Sequence, residues 1–531
     1  MSAAPRPPTN KWLVTLSITF GTLMGTIDAS IVNVAVPHLK AGVGATTEEI
    51  TWVATGFALA NVIVMPLTAF LGRLFGQKRV YMFCLVLFLL GSALCGMARS
   101  LEMLVACRVL QGLGAGALQP TEQAILRQTF PPEEQGMAMA LFAVAVIMGP
   151  AFGPTLGGYI VDNWSWPWIF YINLPVGLLA LVMVQNFVHE PEDLRQANLA
   201  LAAKQRKHMD WAGIALLSVG VASLQYVLEE GTRKDWFQSP VISVLSVACI
   251  LSILLFIARE RTATMPAVDL SLFKDKVYLS GTVIGGVMFA MLMAVTFLLP
   301  VFMQEILGFT AMQSGLALMP RALVMFVVTP IIGRLYNRVQ PRIFVAIGII
   351  CFAISTWQMS HYTLATTQRG VVWALLIQGV GFSLLFVPLT TVALSSIPRH
   401  RLADATGLNS LVRQIGGSIG LAAFATLMTR YQVQIKSAVA SNITSGRPEV
   451  TERLAMLSQF LVHKGLDLAT ARLAAQRILG GLVAKQAMVM TFEKLFLVSG
   501  IAFLCVMPLL YFLKAPRTNG PSPKVDVHVE M

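Results

Sequence analysis

Long apolar runs separated by short polar segments dominate the chain. Each run is near the roughly 20 residues that cross a bilayer as a helix. The first six cover 12–37, 51–71, 80–98, 103–126, 136–160 and 168–188. Two more cover 211–229 and 238–258. The last six cover 279–303, 312–333, 342–360, 370–397, 405–428 and 494–514. They are numbered span one to span fourteen below. Lipid offers no partner for backbone N–H and C=O groups, so spans of this length are expected as helices. The pattern predicts an all-α integral membrane protein with an N-tail (1–11) and a six-helix half (12–188). Linkers and two inserted helices follow (189–277). A second six-helix half (278–514) contains the long polar loop 429–493, and a C-tail (515–531) ends the chain.

Composition agrees with this pattern. Hydrophobic residues make up 56% of the 531 residues and charged residues 12%, against about 25% charged in soluble domains. A soluble enzyme and a disordered chain are both excluded. The net charge of +13 would suggest nucleic acid binding in a soluble protein. Here Lys and Arg sit in short loops, where they set membrane orientation. With the N-terminus in the cytoplasm, inside segments hold 22 of the 39 Lys and Arg, and short outside loops hold 5. An even number of spans then puts both termini on the cytoplasmic side. The first run is too long for a signal-peptide core and is expected to be retained.

Chemistry outside transport finds no support. The six Cys all lie in apolar runs without a CxxC pair, so neither a zinc nor a redox site is expected. No GxxxxGK[ST], HExxH or GxSxG motif occurs. Gly112-x-Gly114-x-x-Ala117 matches a dinucleotide fingerprint by letter, but it follows no strand and lies within an apolar span. No enzyme activity, metal or cofactor is expected.

The chain repeats itself. Leu110-Gln111-Gly112-Leu113-Gly114 in span four resembles Ile377-Gln378-Gly379-Val380-Gly381 in span twelve, at an offset of 267. Gly149 and Gly153 of span five match Gly416 and Gly420 of span thirteen at the same offset. Gly72-Arg73-Leu74 matches Gly333-Arg334-Leu335 at an offset of 261. Spans one to six and nine to fourteen therefore read as parallel halves with two spans inserted. Two such halves about a central cavity are an alternating-access architecture.

Several motifs carry a family resemblance. Span one contains Asp28-Ala29-Ser30-Ile31-Val32-Asn33-Val34-Ala35-Val36-Pro37. Span four contains Leu104-x-x-x-Arg108-x-x-Gln111-Gly112-x-Gly114-Ala115. Span five contains Gly149-x-x-x-Gly153-Pro154-x-x-Gly157-Gly158, and Trp168-Ile169-Phe170-Tyr171-Ile172-Asn173-Leu174-Pro175 opens span six. In this order they resemble the major facilitator superfamily, in particular its fourteen-span drug–proton antiporter branch of the EmrB/QacA type. The segment Arg413-Gln414-x-Gly416-Gly417-Ser418-x-Gly420 also looks like the EmrB type. Two positions depart: Ala69 and Arg73 stand where the superfamily's loop after span two usually has Gly and Asp, which questions the usual charge relay at the cytoplasmic gate, although the EmrB type also tends to lack this Asp.

The resemblance implies proton-coupled efflux of hydrophobic drugs and toxic compounds across a bacterial inner membrane, driven by the proton gradient with no cofactor. It also implies antiport and closure against proton leak for the span-five motif, whose residues themselves support close packing and a bend. For the EmrB type it implies a periplasmic adaptor protein and an outer-membrane channel as partners. The Arg residues and the EmrB likeness favour weakly acidic lipophilic cargo, while Asp28 and Glu122 leave cationic cargo open. An exporter of a lipid or cell-envelope metabolite, and more remotely a non-transporting membrane sensor or scaffold, remain as other readings.

Charges inside the spans mark the candidate site. Each costs at least about 2.5–3.5 kcal/mol to insert, so it faces a partner or water. At 1.5 Å per residue, Asp28 lies about 24 Å along span one, and Arg108 about 8 Å below the outer face in span four. Their depths match. A carboxyl in an apolar setting favours its neutral form and a neighbouring guanidinium favours the anion, so separating the two changes proton affinity. Asp28 and Arg108 are thus candidates for proton coupling; a static ion pair is the other reading. Glu122, nearer the inner side, is either a second proton or substrate site or an interfacial carboxylate in water. Arg321 and Arg413 either attract an anionic substrate group or cap helix carbonyls. Asn33, Gln111 and Gln378 are candidate cavity hydrogen-bonders or interhelical ties. In the loop 429–493, Asp467 is expected to cap a helix that weakens at Gly480-Gly481, part of an outer hairpin running into span fourteen. That hairpin either docks the adaptor or simply caps the transporter.

Overall fold

The computed structural model describes residues 10–46, 48–189, 210–262, 268–444 and 447–513. Most of both tails and of the linker 189–210, and part of the linker 259–277, lie outside these residues. The expected fold is present: among the described residues, fourteen helices are long and apolar enough to cross a membrane. The first six are Lys11–Val43, Glu49–Phe75, Gln77–Gly96, Leu101–Thr129, Gln135–Asn163 and Trp168–Phe187. The inserted pair is Trp211–Glu230 and Pro240–Glu260. The last six are Lys276–Ile306, Met312–Leu335, Pro341–Met359, Gln368–Ala393, Leu402–Ser441 and Leu468–Phe512. With an even count, Asn10 and Leu513 lie at one end of the bundle, called the terminus end here.

Local chemistry sets many of the helix starts. Side chains of Asn10, Ser100, Asp210, Asp275, Thr310 and Thr367 accept from backbone N–H groups in the first turns of their helices, satisfying donors that the helix leaves free. Gly76 alone separates spans two and three, with φ of 87°, a conformation that glycine adopts without a Cβ penalty.

The two halves pack alike. Span one lies on five, two on four, three on four and three on six; span nine lies on thirteen, ten on twelve, eleven on twelve and eleven on fourteen. The glycines of the repeat explain why. A Cβ at Gly149 would strike the Thr26 backbone, and one at Gly153 would meet Ser30 Cβ at 2.7 Å. One at Gly416 would strike Gly286, and one at Gly420 would strike Ala290, both at backbone atoms. Gly112 packs on Phe57 and Gly379 on Arg321; Gly114 packs on Phe88 and Gly381 on Phe352. The pairs of each half thus map onto one another, and only glycine permits such close approach.

The span-five motif therefore does physical work at specific positions. Its helix runs unbroken from Gln135 to Asn163. Gly149, Gly153 and Gly157 meet span one, but a Cβ at Gly158 would meet nothing within 4 Å. Gly149→Val is expected to lower stability by at least about 1–3 kcal/mol through overpacking, and Gly158→Ala to leave the melting temperature of the purified protein unchanged. Equal melting temperatures for both variants would refute this packing account.

Contacts between the halves seal the terminus end. Gly136 of span five lies against Gly333 and Tyr336 beside span ten. Arg127 Nη2 donates to the Thr391 carbonyl across from span four to span twelve, at 3.0 Å. Arg73 Nη1 donates to both oxygens of Asp404, at 2.7 and 2.6 Å, tying span two to span thirteen. The position expected to lack a charge contact thus has one, with the arginine on the span-two side. Nearby, Arg401 pairs with Asp269. Burial pushes the Asp269 carboxyl up, but hydrogen bonds from Ser271 and Arg401 and the Arg401 charge hold it below its usual range. That pair therefore forms fully at neutral pH and is lost only as pH falls through the lowered value.

The long loop holds the expected outer hairpin running into span fourteen, and differs from expectation in the length of span thirteen and at Gly480-Gly481. The helix of span thirteen continues to Ser441, and that of span fourteen starts at Leu468, with a separate helix Pro448–His463 between them. Hydropathy detects only the membrane-length stretch, whereas hydrogen bonding continues into water. The Leu468–Leu504 helix also passes through Gly480-Gly481 without a break. Ala471, Ala475 and Ala487 are buried on either side, which offsets the cost of about 1 kcal/mol per glycine. Asp467 does cap this helix, accepting from Thr470 N at 3.0 Å.

Candidate functional site

Spans one, three, four and six bring a polar cluster together inside the first half. Arg108 Nη1 donates to Asp28 Oδ2 at 2.6 Å and to Gln111 Oε1 at 2.7 Å. Gln111 Nε2 and Asn173 Nδ2 each donate to Asp28 Oδ1 at 2.9 Å. Both amides also donate to Ser92 Oγ, at 3.2 and 2.9 Å. Ser92 in turn donates to the Phe170 carbonyl at 2.8 Å. Arg108 Nε reaches the Val53 carbonyl at 3.2 Å, and the guanidinium lies 4.1 Å from the centre of the Phe57 ring. Asp28 is 0% and Arg108 1% exposed. Removing two charges from water costs several kcal/mol per ion, which only such saturated hydrogen bonding offsets.

Arg108 has a second face. It lines a cavity of about 450 Å³ between spans one, two and four and spans seven and thirteen. The size falls within the roughly 300–1,000 Å³ of small-molecule sites. The cavity reaches from mid-bundle to Thr232 and Arg233, in the loop joining spans seven and eight. It thus extends toward the end opposite the termini. The Asp28 carboxylate sits behind Arg108, one hydrogen bond from the cavity.

The other candidates separate. Asn33 lies on the cavity wall. Gln111 instead belongs to the Asp28 cluster. Arg321 Nη1 donates to Gln378 Oε1 at 3.2 Å, and its Nη2 lies 3.4 Å from Thr296 Oγ1. Arg413 is 4% exposed and boxed by the rings of Phe142, Phe289 and Phe386, 5.4–6.0 Å from its guanidinium carbon. Gln111, Arg321, Gln378 and Arg413 are therefore not on the wall of this cavity: each is drawn to a polar or aromatic partner inside the helix packing. Glu122 is 0% exposed and accepts from Thr19 Oγ1 at 3.1 Å. The reading of it as an interfacial carboxylate in water does not hold, because spans one and four enclose it.

Three residues of the site escaped the sequence reading. Asn173 was visible inside a quoted motif, as one amide in an apolar run. Ser92 gave no signal apart from ordinary helix packing. Glu229 lines the cavity, but its sequence context, Glu229-Glu230 before Arg233-Lys234-Asp235, looks like any charged helix end.

A fourteen-span bundle of two repeated halves, with a buried acid–guanidinium pair beside a cavity between them, defines a secondary transporter. The Major Facilitator Superfamily model matches residues 18–421, and the chain belongs to that superfamily; it is a transporter, not an enzyme. It is 33% identical over 507 residues to the fatty acid resistance protein FarB of Neisseria gonorrhoeae, covering 96% of this chain and 97% of that protein. It is 32% identical over 509 residues to the multidrug export protein EmrB of Escherichia coli K12, covering 96% of each. In fold it resembles the proton:xylose symporter XylE, with a TM-score of 0.58 at 13% identity, over 92% of this chain and 94% of that one. It also resembles the human organic anion transporter MFSD10, with a TM-score of 0.55 at 15% identity, over 94% and 100%.

Proposed function

We propose that the protein exports lipophilic small molecules in exchange for protons, by alternating access, from a bacterial inner membrane. The observation that carries this reading is the Asp28–Arg108 pair, buried behind the cavity yet sharing the Arg108 side chain with its wall. A helix movement that draws Arg108 away leaves Asp28 desolvated, and a desolvated carboxylate takes up a proton. Returning Arg108 expels it. The proton and the Arg108 contact are thus alternatives at Asp28, and antiport follows when substrate is carried in the Arg108-paired state and the proton in the other.

The excess of Lys and Arg in the terminus-end loops supports a cytoplasmic position for that end. The sealed contacts are then the inner gate, and the cavity faces outward. One proton moving through 100 mV releases about 2.3 kcal/mol, and one pH unit adds about 1.4 kcal/mol. Together these sustain roughly a several-hundredfold substrate gradient at one proton per cycle. The relatives named for multidrug export and fatty acid resistance support a lipophilic cargo. The helix Pro448–His463 and the start of the Leu468–Leu504 helix lie at the outer end, with Phe460, Leu468, Leu473 and Ile478 exposed, and we assign them to adaptor docking. Crosslinking from these positions in an assembled complex checks that assignment.

The test of export is transport in proteoliposomes. An imposed pH gradient is expected to drive accumulation of a fluorescent lipophilic substrate, and collapsing the gradient with an ionophore to abolish it. Accumulation that ignores the gradient would overturn proton coupling.

A further inference from the structure

Spans seven and eight have no counterpart in the six-span repeat. Yet span seven packs on spans two and thirteen, along a seam between the halves. It carries Glu229 to the cavity wall, where Arg108, Glu230 and Arg233 are the other charged lining residues. Arg108 is held by Asp28 at 2.6 Å, and Arg233 by Glu230 at 3.1 Å. Glu229 forms no ion pair among the described residues; the Gln225 amide donates to it at 2.7 Å, and the Thr55 hydroxyl bonds to it as well. Gln225 Nε2 also donates to Ser418 of span thirteen at 2.9 Å, which fixes its place. The site therefore sets three carboxylates against two guanidiniums, and the unmatched one is Glu229. Phe57, Leu118 and Leu421 supply apolar wall beside it.

We propose that Glu229 of the inserted span selects substrate charge, holding the head of a lipophilic monocation whose apolar body lies against Phe57, Leu118 and Leu421. An excess carboxylate flanked only by neutral donors attracts a cation and repels an anion of the same shape, and the apolar walls reward a large hydrophobic body. The two inserted spans then have a role that the repeated halves do not supply. This proposal rests on the export reading above.

Tetraphenylphosphonium and tetraphenylborate test it, being nearly equal in size and opposite in charge. Their binding to the full-length protein in detergent is measured by equilibrium dialysis. The wild type is expected to bind the cation at least tenfold more tightly than the anion. Glu229→Gln is expected to shrink that ratio at least tenfold, and Glu229→Asp to keep part of it. Both ions are read on the same sample, so an unfolded fraction cancels in the ratio. A wild type without cation preference, or a Glu229→Gln ratio equal to wild type, would overturn the proposal. Gradient-driven transport by wild-type proteoliposomes is followed in parallel. Transport without cation preference sinks the Glu229 assignment alone; cation preference without gradient-driven transport sinks the export reading alone.

Discussion

Asp28→Asn is expected to reduce gradient-driven transport to the level of protein-free liposomes while the protein remains folded. The geometry explains both halves of this expectation. An asparagine has nearly the same shape as a protonated aspartic acid, and it still offers an oxygen to Gln111 and Asn173, which donate to Asp28 at 2.9 Å. If Asp28 carries the proton, the native cycle already passes through a neutral residue at this position, with Arg108 turned toward the cavity. The variant is then locked in that state and cannot release a proton. A static ion pair predicts a different result: removing one partner would leave a buried guanidinium uncompensated, at a cost of about 3–5 kcal/mol. Thermal unfolding separates the two. Lost transport with a melting temperature near wild type supports the carrier, whereas a large drop restored by the neutral double variant Asp28→Asn/Arg108→Gln supports the static pair. Intact gradient-driven transport by Asp28→Asn would end the carrier role outright.

How much of this site was legible depended on how rare each residue is in its surroundings. A charge in an apolar run is costly, so Asp28, Arg108, Glu122, Arg321 and Arg413 announced themselves, and helical rise alone gave Asp28 and Arg108 a common depth. The spans and their repeat were visible for the same reason, because lipid imposes one length and one secondary structure. Direction within the bundle was not visible. Rise per residue fixes depth but not which neighbour a side chain faces, so Arg321 and Arg413 looked like cavity residues although Gln378 and an aromatic box enclose them. Glu229 failed in the opposite sense: it read as an ordinary helix end until the packing of span seven on spans two and thirteen turned it inward.

The repeat also shows where the halves diverge. Thr26 and Ser30 of span one correspond in packing to Gly286 and Ala290 of span nine, an offset of 260. The same offset carries Asp28 to Met288, and the offset of 267 carries Arg108 to Leu375; both are buried apolar side chains. Of Asp28, Arg108 and Gln111, only Gln111 survives, as Gln378. The second half thus keeps the glycine contacts that let helices slide and pack, but it has no acid–guanidinium pair at the corresponding place. The acid–guanidinium pair and the helix geometry are separable layers of the sequence, and only the geometry is duplicated.

In the proposed alternating-access cycle, opening the terminus end breaks the Arg73–Asp404 contact, which leads to the last expectation. The side chain of Asp404 is 6% exposed and that of Arg73 18%, so breaking the pair by reversing one charge costs about 3–5 kcal/mol. That cost falls only on the state sealed at the terminus end, because opening returns both groups to water. A bias of this size shifts the populations by roughly a hundredfold to a few thousandfold. Arg73→Glu and Asp404→Arg are each expected to hold the terminus end open and to slow transport, and the double swap to restore both. Spin labels at Phe75 and Arg399, both exposed near the ends of spans two and thirteen, would report the separation once Cys505, the exposed free cysteine among six, is replaced by serine. Longer distances in each single variant and a wild-type distance in the swap are the expected pattern. A swap that stays open would show that the arginine on the span-two side acts through other neighbours, and unchanged distances in the single variants would remove the contact from the gate.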